Sequence, residues 1–533
     1  MPIYSLRSRK PRQADCAHSL RAAALAAIVV GALSSCTVGP DFKPPTAPSA
    51  IRYTSPGETP VQESVTRTLP TQTVTLGERV TAEWWTLFRS PELDALVKAA
   101  IAGSPTLESA TARLTEAQEA VAAASGALYP QVNFGASATR EKNTAASFGL
   151  KSGRFPLPPN FNVYQVGATA SYALDIFGGT HRQIEQMVAS ADAQRHQLDA
   201  AYQTLTGNTV TQAMQVAAIR AQLQAIHDIL DLDRQNLDLV RTERAAGAIP
   251  DTDLVTAQSQ LAADETLLPG PEQQLDVAKH ALAVLLGRAP GDWSPPDFDL
   301  ASLTLPGQLP VSLPSELVHQ RPDILTAEAQ LHVASAQIGV ATAQLYPAIT
   351  LSGAVGAAGL DPGQMFNATG LIWSIAAGLS QPLFDGGTRQ AQRRTALAEF
   401  KASAADYRQT VLQAFGQVAD ILQALSHDAQ LLAAQRQALD MASESMRLQR
   451  ISYSGGGSGI LQLLDAQRQY QQARLGYVRA EAQRYQDTIQ LLVAMGGGWW
   501  DANLTVAAND NPAQGSTVPP PGARGTAGDS ATR

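Results

Sequence analysis

Cysteine is scarce in this chain, which has two cysteines among its 533 residues, Cys16 and Cys36. Both lie within or directly after a leader that we expect to be removed, so no disulfide is expected to stabilise the processed chain. Aromatic residues make up only 6% of the sequence, whereas alanine, glutamine and leucine dominate long tracts. These features exclude a small disulfide-stabilised fold and favour long helices.

Positive charge and long apolar runs are also lacking. The chain has 39 lysines and arginines against 47 aspartates and glutamates, a formal net charge of −8, which argues against a nucleic-acid partner. Beyond the leader, no stretch is apolar enough for a membrane-spanning helix, which needs about 20 residues. If the polypeptide enters a membrane, it must therefore do so as strands.

The beginning of the chain has the pattern of a secretory signal peptide. Several basic residues precede an apolar run over 22–33, and Cys36 follows in the sequence LSSC. The run is shorter than the roughly 20 residues of a spanning helix, which makes a short anchor helix the less favoured alternative. LSSC has the form of a bacterial lipobox. We therefore predict a lipoprotein signal peptide over 1–35, lipidation of Cys36 and, because Thr37 is not an aspartate, sorting to the outer membrane.

The rest of the sequence contains an internal duplication. Segments 104–130 and 321–347 both end in Leu-Tyr-Pro, and DIFGGTHRQ from Asp175 matches LFDGGTRQ from Leu383. Such ordered agreement predicts two copies of one structural unit. Two later dipeptide pairs are each separated by 209 residues: Ala257-Gln258 with Ala466-Gln467, and Leu286-Gly287 with Met495-Gly496.

The sequences of the two copies predict the same elements in the same order. A helix of roughly 25 residues ends at a proline, two apolar-alternating strands follow, and Gly-Gly-Thr precedes a long helical hairpin. The predicted domains are a lipid-anchored extended linker over 36–80, a first repeat over 81–300, a second repeat over 301–500 and a disordered tail over 501–533. The predicted strands and hairpins cover about 130–143, 163–177 and 181–287, then 347–359, 371–384 and 388–496.

The strand segments alternate between two faces. In VYQVGATASYALDIF, Tyr164, Val166 and Ala168 share an apolar face, whereas Gln165 and Thr169 lie on the other. LIWSIAAGLS alternates in the same way. Period two over about ten residues per strand is typical of a transmembrane barrel with an apolar outer face. The alternative is two ordinary hairpins on a soluble core.

The helical hairpins are predicted to be very long. The tract over 181–246 has no proline and only Gly207 inside it, so it would reach roughly 100 Å at about 1.5 Å per residue. Apolar residues at three-four spacing form a heptad seam that Asp233 interrupts, which indicates coiled-coil packing. Sequences that would reverse or interrupt the helices lie at 244–253, 453–462 and 268–271.

No catalytic arrangement is evident. The eight histidines are scattered, and no two have the spacing of a zinc-binding helix. The glycine-rich sequence SGGGSG lacks the lysine of a phosphate-binding loop. We therefore predict that the protein is not an enzyme and that it uses no cofactor or metal.

Several motifs occur in a fixed order: CTVGPDFKPP at Cys36, WWTLF at Trp84, two LYP sequences, QRPDI, FDGGTR and LLDAQRQY. Together they resemble the outer membrane efflux protein family, in particular its TolC-like lipoprotein branch of the NodT/OprM type, over about 36–500. The resemblance implies a mixed α/β membrane protein. In it, two repeats of long coiled coil plus β-hairpin trimerise into a 12-stranded outer membrane β-barrel with a periplasmic α-helical tunnel. Independently, four strands per chain are too few to close a barrel, since about eight are needed, and open edges are not tolerated in lipid.

The resemblance also implies a gate at the periplasmic tip, formed by aspartates and bulky apolar residues. The matching positions are Asp465 and, one turn before it, Leu461, with Asp253 as a second acidic candidate and Tyr453 as a tether. Gln462 occupies the place of a second aspartate in some members, which leaves one or two acidic rings open. For each residue the alternative is a solvated helix-turn position. The turns that would dock a periplasmic adaptor contain Gly247, Gly456 and Gly457.

The function that this resemblance implies is a passive exit duct of a tripartite efflux pump that exports small molecules such as drugs. Its partners would be two further copies of the chain, outer membrane lipid, a periplasmic adaptor and an inner membrane transporter of the resistance-nodulation-division (RND) class. Two alternatives stay open. One is the duct of a type I protein secretion system, and the other is a coiled-coil lipoprotein scaffold, which would have no use for four symmetrically placed strands.

Overall fold

The computed structural model describes residues 37–46, 48, 52–54, 72–142, 160–296, 298–365, 367 and 370–499. Three predictions lie outside these described residues: the signal peptide over 1–35, the lipidation of Cys36 and the disordered tail over 501–533.

The described residues form two successive copies of a similar series of elements. The first copy consists of β1 (Thr73–Leu76), α1 (Pro91–Gly103), α2 (Pro105–Ser125), β2 (Gln131–Glu141), β3 (Phe161–Leu174), α3 (Gly179–Ala245), α4 (Asp251–Glu265) and α5 (Pro269–Leu285). The second consists of β4 (Gln308–Val311), α6 (Pro314–Leu317), α7 (Pro322–Ala343), β5 (Ala348–Gly359), β6 (Leu371–Ser380), α8 (Thr388–Ser454) and α9 (Ile460–Ala494).

The four longer strands form one antiparallel sheet in the order β2-β3-β5-β6, so each copy contributes one hairpin. The register puts Phe134 beside Ala168, Ala168 beside Val355 and Val355 beside Trp373. Residues paired in this way lie on the same face, and the row is apolar. The neighbouring rows contain glycine, serine and threonine, for example Thr169 beside Ala354. The sheet therefore has one apolar and one small or polar face, as the alternation predicts.

The strands end earlier than predicted at their junctions with the long helices. The fourth predicted strand, β6, ends at Ser380 instead of 384, because Pro382 cannot donate to a ladder. The second strand stops at Leu174, because the next residue, Asp175, turns to the helix: its carboxylate accepts from the backbone N–H groups of Thr180 at 3.0 Å and His181 at 2.9 Å. Carboxylates at this end of a helix satisfy free N–H groups and interact favourably with the helix dipole.

The two outgoing helices, α3 and α8, have 67 residues each, which is about 100 Å of helix. The return path differs between the copies. Helix α9 is continuous over 35 residues, whereas the first return is broken between Glu265 and Pro269, where the LPGP sequence predicts an interruption. No helix in the described part of the chain combines the length and hydropathy that crossing a bilayer requires.

The predicted linker over 36–80 is more than an extended segment. Within it, β1 pairs in parallel with β4, and the buried Gln72 side chain donates to the Pro306 carbonyl and the Thr488 hydroxyl, both at 3.0 Å. The sequence gives no sign of this pairing, because the partner strand lies more than 230 residues away. Beside it, the fully buried Trp84, Trp85 and Phe88 anchor the main hydrophobic core between the helices.

Candidate functional site

The two hairpin reversals have the same backbone geometry. Gly247 and Gly456 both adopt left-handed backbone angles, with φ of 76° and 74°. In the first turn the Ala248 N–H donates to the Glu243 carbonyl at 2.9 Å, and in the second the Gly457 N–H donates to the Ser452 carbonyl at 2.8 Å. These bonds close a Schellman motif. Of the three predicted docking glycines, Gly247 and Gly456 therefore have a positive φ that favours glycine. Gly457 contributes the N–H group that closes the second turn.

Tyr453 fastens the end of α8 to the end of α3. Its ring is buried in a tip cluster, and its hydroxyl donates to the carboxylate of Glu243. Burial and the Glu243 carboxylate raise the pKa of Tyr453 above its ordinary value, and the charge of Asp253 adds to this shift. The hydroxyl therefore keeps its proton and its donor role. The tip cluster consists of Tyr453 with Leu237, Val240, Ala257, Ile460, Leu463 and Leu464.

Leu461 and Asp465 lie one turn apart near the start of α9. Leu461 is 63% exposed although it is apolar. The Asp465 carboxylate accepts from the Arg468 guanidinium and from the Gln469 amide at 2.8 Å. Asp253 is half-buried in the first turn of α4. The structure thus brings Tyr453 and Asp253 into electrostatic contact and leaves Leu461 and Asp465 on an exposed part of the tip.

An ion pair at the first tip is absent from the sequence prediction. Arg244 Nε lies 2.6 Å from Asp251 Oδ1 across the reversal, and both side chains are exposed. The guanidinium lowers the pKa of Asp251 below its usual value. The sequence does contain a signal for this ion pair, because oppositely charged residues flank the turn that contains Gly247. The Glu243 partner of Tyr453 gave no comparable signal, because the two are 210 residues apart.

The segment after Cys36 is held against the junction of sheet and helices. The Val38 N–H donates to the Phe177 carbonyl at 3.2 Å, and the buried Arg182 guanidinium binds Asp41 and Glu185, each at 2.6 Å. The Phe42 ring stacks on the imidazole of His332 at 4.3 Å between ring centroids. These contacts place residue 37 close to the end of β3, directly after the predicted lipidation site.

Comparison with known proteins agrees with this architecture. The model of the family "Outer membrane efflux protein" matches residues 96–288 and 313–497. The chain is 30% identical over 430 residues to the pyoverdine export outer membrane protein OpmQ of Pseudomonas aeruginosa, which covers 80% of this chain and 90% of the relative. It is 29% identical over 510 residues to nodulation protein T of Rhizobium leguminosarum bv. viciae, with 93% and 98% covered.

The fold is similar to that of the outer-membrane channel OprN, with a TM-score of 0.78 and 28% identity over 87% of this chain and 100% of that one. Family and fold are therefore those of channel proteins, which agrees with the absence of a catalytic pattern in the sequence. The chain belongs to the outer membrane efflux protein family and is an efflux channel of the outer membrane.

Proposed function

We propose that three copies of this chain pool their sheets into a closed 12-stranded barrel in the outer membrane. The observation that carries this proposal is the two-faced sheet. Within the described residues its edge strands β2 and β6 each pair on one side only. Large side chains on its apolar face are exposed, with Phe134 at 77%, Trp373 at 72% and Ile375 at 83%. Lipid on that face and strands of a second copy at each edge would satisfy both features.

The helices α3 and α8 then extend the duct away from the membrane. Their length of about 100 Å is more than three times the hydrocarbon thickness of a bilayer, about 30 Å. The predicted lipid on Cys36 would lie beside the end of β3. Arg182 holds the segment that follows Cys36 in this place, because it binds the Val38 carbonyl and the Asp41 carboxylate. This position is where strands end and helices begin, which suits an anchor in the inner leaflet of the outer membrane.

The proposed gate is the ring of tips. In a trimer the exposed Leu461 side chains would narrow the opening, and three Asp465 carboxylates would favour cations and repel anions. The link from Tyr453 to Glu243 would hold the two hairpins of one copy together at this level. The reversals around Gly247 and Gly456 are the surfaces that would meet a periplasmic adaptor.

Selectivity for substrate is proposed to reside in the partner pump. Relatives are named for pyoverdine export, cation efflux and solvent efflux. One architecture therefore serves chemically unrelated substrates in those proteins. For this chain we propose small-molecule efflux with an adaptor and an RND transporter.

Two experiments test these proposals. Purified protein in planar bilayers should assemble as a trimer and give ion channels, and a preparation that gives none would support the scaffold alternative. Leu461→Ala and Asp465→Asn should change conductance and cation preference, which identifies the gate. Mild crosslinking in native membranes, followed by mass spectrometry, should recover an adaptor and an RND transporter, whereas recovery of an ATP-driven exporter would indicate protein secretion.

A further inference from the structure

A buried layer of polar side chains crosses the coiled coil behind the tip. Asp233 and Asn236 come from α3, Asp264 comes from α4, and Gln467 and Gln471 come from α9. All five are buried, and Gln467 is only 1% exposed. Asp233 lies 14 positions before Gly247, which places the layer about 20 Å from the reversal at 1.5 Å per residue.

The hydrogen bonds of this layer join α9 to the first hairpin. The Gln467 amide accepts from Asn236 Nδ2 and donates to Asp233 Oδ1. Gln471 Nε2 donates to Asp264 Oδ2 at 2.8 Å and lies 3.5 Å from Asp233 Oδ1. Every one of these bonds connects a side chain of α9 to a side chain of α3 or α4. A sliding or turning α9 would break all of them together.

Apolar layers enclose the polar layer on both sides. Ile229 and Leu230 are fully buried on the side of the sheet, and Leu237 and Val240 are buried on the side of the tip. A polar layer between apolar ones lowers stability relative to apolar packing, but it fixes the register of a coiled coil, because only one alignment pairs its groups.

The duplication shows that the hairpin backbone does not require this layer. At the corresponding positions 209 residues away, Asp233 is replaced by Ala442 and Asp264 by Ala473. Gln467 corresponds to Gln258, which is exposed. The second hairpin packs its helices at the same level through an apolar cluster that includes Leu432, Leu439 and Ala473.

We propose that the polar layer positions the gate: it fixes the register of α9, which carries Leu461 and Asp465, against α3 and α4 and thereby favours the closed tip. This inference rests on the proposed gate. Gln467 is the central positioning residue, since it bonds both side chains that α3 contributes. Opening the tip by moving α9 would leave those groups buried and unpaired, and that loss opposes opening.

The two acids of the layer, Asp233 and Asp264, make its hydrogen bonding, and therefore channel opening, dependent on pH. Asp233 Oδ2 is buried and accepts no hydrogen bond. When Asp233 is protonated at Oδ2, this hydroxyl can donate a hydrogen bond to the adjacent Asp264 carboxylate. Burial and Asp264 raise the pKa of Asp233 to about 8, while Arg234 opposes this shift. Above that pH two carboxylates face each other and the layer weakens. The other charged groups nearby have partners of their own: Arg468 with Asp465, Arg474 with Asp228, and Arg450 with Gln235.

The direct test compares Gln467→Ala with Gln258→Ala, its repeat-related and exposed control, in full-length trimers in planar bilayers. Removing the Gln467 amide leaves Asn236 Nδ2 without its partner and Asp233 Oδ1 without its shorter hydrogen bond, so the equilibrium should shift roughly 5- to 100-fold toward open channels. Q258A should behave as the unmodified protein. Size-exclusion chromatography and thermal melting establish that each variant is an assembled trimer.

A second variant keeps the test decisive if Q467A does not assemble. Asp233→Asn supplies an amide that can donate to Asp264 and accept from Gln467 at every pH. Channel opening of the unmodified protein should therefore increase from pH 7 to pH 9, whereas D233N should lose this dependence. Identical pH profiles for the two proteins would overturn the inference.

The outcomes separate this inference from the gate proposal. If L461A and D465N change conductance while an assembled Q467A does not, the gate proposal is supported and the proposed positioning role of the polar layer is wrong. If none of the three variants changes conductance, the gate proposal itself fails. An increase with Q467A but not with Q258A supports both.

Discussion

The two helical hairpins share the length of the outgoing helix and the geometry of the reversal, but they carry different interior chemistry. Both outgoing helices have 67 residues, and the reversals at Gly247 and Gly456 share the same left-handed angle and closing bonds. The first hairpin buries Asp233 and Asp264 near the tip. The second instead carries its charge at a level closer to the sheet, on Asp428, Arg484 and Asp487. Helix length and turn chemistry therefore fix the shape, and the buried residues remain free to diverge.

The charged trio of the second hairpin has apolar counterparts in the first. Arg484 is 2% exposed, and neither of its Nη atoms has a hydrogen-bond partner. Burial lowers the pKa of Arg484, while Asp487 and Asp428 oppose the shift. The positions 209 residues earlier are Ile219 and Ala278, which lie in the main apolar core, and Leu275, which is half-buried and packs against it.

The tips differ in the same manner. The exposed ion pair of Arg244 and Asp251 in the first tip corresponds, 209 residues later, to Tyr453 and Ile460 in the second. Those two residues are buried in the tip cluster. The first tip is thus tied by surface charge, and the second by apolar packing and one buried hydroxyl. The difference suits a first tip that is exposed to solvent and a second that carries the proposed gate.

The largest expected effect comes from removing one charge of the trio Asp428, Arg484 and Asp487, of which Arg484 and Asp487 are buried. Above pH 7, where Asp487 is ionised, Asp487→Ala removes the carboxylate that attracts Arg484 most strongly and should lower the free energy of unfolding by about 3–5 kcal/mol. Replacing the whole trio by the residues of the first hairpin, Asp428→Ile with Arg484→Leu and Asp487→Ala, should be neutral or stabilising by about 1–4 kcal/mol. Denaturant unfolding of the two variants measures the difference. A triple variant as unstable as D487A would show that the hairpins are not interchangeable at this level.

Asp487, in the second hairpin, contributes its own pH dependence of stability, beside that of Asp233 in the first. Burial and the neighbouring Asp428 raise the pKa of Asp487 to about 7. The folded protein then holds a proton that the unfolded chain releases near pH 4, so the contribution of Asp487 to stability is greatest at low pH. It should fall as pH rises from about 4 to 7, by up to about 1.4 kcal/mol per pH unit for one proton. Melting temperatures of the triple variant should lack this component, whereas those of D233N should retain it.

The shared turn geometry predicts equal sensitivity in both hairpins. Gly456→Ala and Gly247→Ala should each cost about 1–2 kcal/mol, because a Cβ is strained at positive φ. Gly455→Ala is the control, since its φ is −89° and the first hairpin has Ala246 at that position. Melting curves of the three variants decide the matter. If G455A lowered stability as much as G456A does, the loss would come from steric crowding by the added Cβ and not from the backbone angle.

The smallest effect is expected at the exposed ion pair. Asp251→Asn should lower stability only slightly, because both partners are exposed to solvent, and added salt should abolish the difference. Tyr453→Phe, at the corresponding level of the second tip, should show a loss that salt does not remove, because the hydroxyl bond is partly buried. Salt titration of melting temperature distinguishes the two kinds of link. Equal salt dependence would contradict the contrast drawn between the tips.

Much of the fold follows from local sequence. The two-residue alternation predicts the strands and their apolar face, and Pro130 and Pro347 predict where the helix before each hairpin ends. Glycine-containing turns locate the reversals, and LPGP locates the break between α4 and α5. Tyr453 as a tether and Leu461 on an exposed tip are likewise consistent with the motif that carries them, while the gate role of Leu461, Asp465 and Asp253 stays a prediction.

The sequence by itself determined the long helices, the four long strands, their repetition and the chemical character of each face, because these depend on residues a few positions apart. Tertiary structure alone decided which distant groups meet: β1 with β4, Tyr453 with Glu243, Arg182 with Asp41, and Gln467 with Asp233. Asp233 illustrates the boundary. In the sequence it is an interruption of a heptad seam, and only the packing of α9 against α3 and α4 gives it hydrogen-bond partners. Burial determines whether such a residue is a defect or a register-setting contact, and burial depends on side chains more than two hundred residues away.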